Sequence, residues 1–150
     1  MLLRGTTMRI HICLAVGIVA FGVAGISSPV LAEMPLGNWI VTSVERADPP
    51  PGVKSILNIL PDGTVNGSGG CNRYTGRAKF RLMTSNLSFD DIASTEMACD
   101  PEVMQWEQRF LAGLGKITRW GKLTIGNREP EMTLMSENRS VIRLVRAPAP

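Results

Sequence analysis

The chain has 150 residues, with 16 Lys and Arg against 13 Asp and Glu, one His, three Cys and a formal charge of +3. The single histidine, His11, and the arginines Arg4 and Arg9 fall in the first 32 residues, so past that point the charge drops to about +1 and no histidine remains. That excludes Ser-His-Asp and Cys-His catalysis and histidine-ligated zinc there, and such near-neutrality lacks the concentrated basic footprint of a nucleic-acid binder.

Residues 1–32, MLLRGTTMRIHICLAVGIVAFGVAGISSPVLA, have the layout of a secretory signal peptide: Arg4 and Arg9, an uncharged apolar run from Ile12 to Ile26, then Val30-Leu31-Ala32 at the cleavage positions. The cut is expected after Ala32. A retained membrane anchor is the alternative, but the run falls short of the ~20 residues of a bilayer span and contains Gly17, Gly22 and Gly25. A lipoprotein would need cysteine directly after the cut, where Glu33 stands. The expectation is therefore a periplasmic or secreted protein without stable membrane insertion, with residues 33–150 forming one domain.

Within that domain the first strand is GNWIVTSV, with Trp39 and Val41 on one side and Ile40 and Val44 on the other. The proline-rich ADPPPG cannot pair in a sheet; SILNIL then leads through the turn Pro61-Asp62-Gly63 into TVNGSG, a hairpin. From Gly76, RAKFRL alternates, with Ala78, Phe80 and Leu82 inward and Arg77, Lys79 and Arg81 as an outer basic stripe. Such a stripe keeps a strand soluble and unpaired, or attracts an anionic partner such as lipid headgroups.

The strand NLSFDDI and the loop ASTEMAC precede the one helix, DPEVMQWEQRFLAGLG. Asp100 stands at the N-cap position, Pro101 at the first helical position and Glu102 near the positive end of the dipole. Val103, Trp106, Phe110, Leu111 and Leu114 form an apolar stripe to lie on a sheet, and Gly115 is a fitting stop. KITRW, KLTIG, EMTLM and VIRLV then read as short strands joined by turns at Gly121, GNREPE and SENRS, with the tail APAP frayed. The pattern is α+β, a curved antiparallel sheet or half-barrel with one helix packed on it.

Past residue 32 the cysteines are an even pair, Cys71 and Cys99. In an oxidising compartment they form a disulfide, worth about 3–4 kcal/mol on the chain-entropy estimate; two buried free thiols are the alternative.

Cys71 belongs to GSGGCNRYTG, residues 67–76. A phosphate loop is excluded because the glycine offsets fail and no Gly-Lys follows. A metal knuckle lacks ligands, and a thiolate nucleophile lacks a base, since Arg73 accepts no proton. The adjacent Asp90 and Asp91 point to opposite faces of a strand and make no carboxylate pair. The glycines instead suit a corner where the chain bends or passes close to a neighbour.

The run G-x-G-G-C-N-R-Y-T-G (67–76), followed by S-T-x-M-A-C (94–99) and E-x-x-F-L (107–111), resembles the META domain family, typified by the HslJ-like heat-shock proteins. Gly37-Asn38-Trp39 and the closing strands share the likeness, over about residues 36–146. The resemblance implies a lipocalin-like curved sheet cradling a helix, an association with envelope stress tolerance, and no enzymatic activity, metal or cofactor. It makes Gly67, Gly69, Gly70, Asn72, Tyr74, Gly76, Thr95 and Met97 a structural motif, with the Cys71–Cys99 bridge joining the glycine-rich corner to the loop before the helix. Tyr74 and Met97 are then packing partners, with an exposed, ligand-binding Tyr74 as the alternative, and Thr95 ties the loop.

The function expected is a non-enzymatic binder of a protein, peptide or small apolar ligand, held on the concave face of the sheet. A structural or assembly module of an outer-membrane complex, or a small hydrolase without histidine, are the alternatives.

Overall fold

The computed structural model describes residues 34–81, 84–123, 130–137 and 141–148. The expected signal peptide and its cleavage point lie outside the described residues, as do Leu82, most of the GNREPE and SENRS turns and the last two residues of the tail. The elements are β1 (Gly37–Val44), β2 (Ile56–Ile59), β3 (Thr64–Ser68), β4 (Arg73–Phe80), β5 (Leu87–Ser94), α1 (Pro101–Leu114), β6 (Ile117–Leu123), β7 (Glu131–Ser136) and β8 (Val141–Arg146).

The strands form one sheet in the order β5-β4-β3-β2-β1-β8-β7-β6, every named pair antiparallel. Its two end strands curl toward each other and touch through an isolated bridge, Asn86 to Arg119, where the Trp120 N–H also donates to the Ser85 carbonyl at 2.8 Å. The result is the expected α+β half-barrel, closed at one point and filled by its helix.

Alternation puts one set of side chains inside. Trp39 and Val41 of β1, Leu57 and Ile59 of β2, Leu87 and Phe89 of β5, Met132 and Leu134 of β7, and Ile142 and Leu144 of β8 are all buried. Val44 joins them, contrary to its expected place beside Ile40. The register between β1 and β8 shifts between Val41 and Ser43, and this bulge turns the following residues over. Gly121 also differs from expectation: it lies within β6, opposite Thr133, so the strand that begins in KITRW runs on through Lys122 and Leu123, while the rest of KLTIG lies outside the described residues.

A helix of 14 residues is marginal alone, so α1 depends on what it buries. Trp106, Phe110 and Leu114 are buried against the inner face of the sheet, each worth about 1.5–3 kcal/mol of transfer free energy. Asp100 occupies the N-cap, but its side chain makes no capping hydrogen bond, and its carbonyl receives the Met104 N–H at 3.0 Å. The helix stops at Leu114, with Gly115 still right-handed at φ −64°.

The Pro61-Asp62-Gly63 turn forms the expected hairpin between β2 and β3. Asp62 Oδ1 accepts the Thr64 N–H at 2.8 Å and Oδ2 the Thr64 hydroxyl at 2.9 Å, which hold this carboxyl below the usual carboxylate range.

Candidate binding site

The decapeptide 67–76 is the end of β3, a tight turn and the start of β4, so the strand expected from Gly76 begins at Arg73. The Gly69 N–H closes the turn on the Asn72 carbonyl at 2.9 Å. This leaves the N–H groups of Cys71 and Asn72 pointing together at α1. Glu107 meets them: its Oε2 accepts from Cys71 N at 3.1 Å and Asn72 N at 2.6 Å, and its Oε1 from Asn72 Nδ2 at 2.7 Å. At 5 % exposure this carboxylate is inside the fold. Successive main-chain N–H groups converging on one anion compensate the cost of burying it.

Two glycines are required by this contact. A Cβ on Gly69 would overlap the Glu107 side chain, and Gly70 has φ +131°, where a side chain is strained. Gly67, in β3, pairs with Leu57 and Tyr74, and Gly76 sits where β4 and β5 lose register, beside Asp91 at φ 54°.

Asn72 works at both ends. Its Oδ1 accepts from the Met97 N–H at 2.7 Å and from the Thr95 hydroxyl at 2.9 Å, while Thr95 Oγ1 accepts the Arg73 N–H at 3.2 Å. The disulfide Cys71–Cys99, Cα atoms 6.1 Å apart, covers the same junction. Turn, loop 95–99 and helix are thus fixed to one another by one amide, one carboxylate and one covalent bond. A parallel chain runs from Trp106 Nε1 to Ser55 Oγ (2.8 Å), and from Ser55 Oγ to the Gly69 carbonyl (2.6 Å).

Tyr74 is not an exposed binding residue: it is 1 % exposed, and burial pushes its phenol well above its ordinary value. Its hydroxyl donates to the Ile56 carbonyl at 2.8 Å and its ring meets Phe110 edge-on, centroids 5.8 Å apart. The Met97 side chain is 54 % exposed, and only its main chain joins the cluster.

The expected concave binding face is occupied. The inward side chains of the sheet pack on Trp106, Phe110 and Leu114 of the protein's own helix, all buried. The concavity beside the cluster lies outside: a groove of about 410 Å³ between loop 94–98 and α1, whose walls include Thr95, Glu96, Met97, Met104, Gln108 and Leu111. The basic stripe lies elsewhere, on the outer face of β4, where Lys79 pairs with Asp90 at 3.1 Å.

Glu107 and Ser55 escape a reading based on polarity, because each is a polar residue in the core. Glu107 leaves one signal: it falls four residues after Val103 and three before Phe110, on the apolar stripe itself. Ser55 leaves none.

The META domain family model matches residues 32–149, and the chain belongs to that family. Among solved structures, it is similar to a protein from Burkholderia xenovorans determined by NMR, with a TM-score of 0.64 and 25% identity over 81% of this chain and 88% of that one. It is also similar in fold to a DUF4847 family protein from Bacteroides vulgatus, with a TM-score of 0.50 and 14% identity over 76% of this chain and 94% of that one. No curated protein matches the sequence significantly.

Proposed function

We propose that this META domain is an exported, non-enzymatic binding protein that engages a protein or peptide partner through the groove between loop 94–98 and α1, in support of envelope stress tolerance. The observation that carries the reading is the filled interior: the helix occupies the concave face, while the external groove presents the exposed Met97 beside a wall held rigid by Asn72 and the disulfide. A preorganised wall lowers the ordering cost of binding. Three of the polar groups that line the groove, Asn72, Thr95 and Glu107, are engaged with one another and the main chain, which supports a structural use of them. The bridge is compatible with an oxidising compartment, and among the described residues no helix is long and apolar enough to cross a membrane.

A photo-crosslinking amino acid placed at position 97 in cells tests this, with position 75 on the outer face of β4 as control. A discrete protein adduct from position 97 alone is expected. Equal labelling from both positions, or none from position 97, overturns it, and a rise in melting temperature with small apolar ligands would return the function to the interior.

A further inference from the structure

The acids of this domain are unevenly placed. From Leu82 to Gln108 there is no Lys, Arg or His, while Asp90, Asp91, Glu96, Asp100 and Glu102 all fall in that stretch. Lys79 neutralises Asp90, but no basic side chain among the described residues pairs with Asp91, Glu96, Asp100 or Glu102, all of them exposed. Glu96 is a wall of the groove, and Asp100 and Glu102 stand at the start of the helix that forms its other side. Arg73, whose main chain bonds Thr95, and the next helical cation, Arg109, are not among the lining residues. The lining carries Met97, Met104 and Leu111, so the groove combines adaptable apolar surface with an acidic border.

From this juxtaposition we infer that the occupant is a cationic, amphipathic peptide segment, with an apolar side chain seated among Met97, Met104 and Leu111 and Lys or Arg facing Glu96 and Glu102. The inference rests on the binding role proposed above and names the chemistry of its partner. Charge decides among occupants. A second copy docked face to face would set this rim against its own image, like charge against like. Anionic lipid headgroups and nucleic acid are repelled by the same rim, whereas a cationic segment is steered toward it.

The test uses a fluorescently labelled nonapeptide of alternating Lys and Val, its Glu and Val counterpart, and anisotropy at low and high salt. Saturable binding of the Lys peptide that weakens with salt is expected, with no binding of the Glu peptide. Reversing one rim charge, Glu96→Lys, should weaken the Lys peptide by about tenfold, while the same reversal at the exposed Asp48, which does not line the groove, Asp48→Lys, should leave it unchanged. Binding of both peptides, binding of neither, or equal losses from the two reversals overturns the assignment. If position 97 still crosslinks a cellular protein in that case, the binding role stands and only the charge of the partner is wrong. If the Lys peptide binds at this rim but no cellular adduct forms, the cationic chemistry stands and the proposed cellular role falls.

Discussion

The carboxylate of Glu107, on the helix, accepts both the main-chain N–H and the side-chain amide of Asn72, on the sheet, at 2.6 and 2.7 Å. One residue from each layer therefore fixes the distance between them, and Asn72 passes that constraint to the loop through Thr95 and Met97.

Removing the acceptor should be costly. Glu107→Ala leaves the N–H groups of Cys71 and Asn72 and the Asn72 amide without their buried partner, an expected loss of about 2–4 kcal/mol. Glu107→Gln keeps one acceptor oxygen but turns an NH₂ toward a donor, and should lose roughly half as much. Urea unfolding reads both as a lowered midpoint with unchanged slope. A wild-type midpoint in the alanine variant would show that the contact does not hold the layers.

The disulfide closes a separation of 28 residues, so Cys71→Ser with Cys99→Ser should cost about 3–4 kcal/mol. The fold should survive, because the Asn72 side chain independently fixes the same loop. Near-ultraviolet circular dichroism should keep its native form while the urea midpoint falls. Before substitution, the denatured, unreduced domain should show no free thiol past residue 32.

Tyr74 is the single tyrosine of the chain, which makes alkaline titration specific. In the unfolded chain its phenol ionises near pH ~10, while burial in the fold holds it protonated to higher pH. Above the unfolded value the folded state binds the extra proton, so stability is complete below about pH 10 and declines as pH rises. Phenolate absorbance should therefore appear together with unfolding. Tyr74→Phe should flatten this alkaline slope and cost about 1 kcal/mol at neutral pH through the lost bond to Ile56. A phenolate signal in protein that is still folded would contradict the buried placement.

What was legible in the sequence was the periodic part. Turn chemistry revealed the hairpin at Pro61-Asp62-Gly63, and helical spacing revealed Trp106, Phe110 and Leu114, because that period follows directly from which side faces the core. Bulges defeated the alternation: Val44 changed faces through a register shift that no residue type announces. Gly121 read as a turn because glycine is ambiguous between a corner and a strand position. The burial of Tyr74 was within reach, since it shares the parity of Ala78, but the glycines around it hid the early start of β4. The cluster at the corner was the least legible, since hydrophobicity assigns a glutamate to solvent and only its three donors explain its place.

The pairing of β1 with β8 sets Trp39 opposite Arg146, and the Ala147 N–H reaches the Asn38 carbonyl at 3.0 Å. The first and last strands thus enter and leave the fold as immediate neighbours. A domain built this way can be spliced whole into a surface loop of a host protein, or have its ends fused and be reopened at the Pro61–Gly63 turn, with every ladder intact.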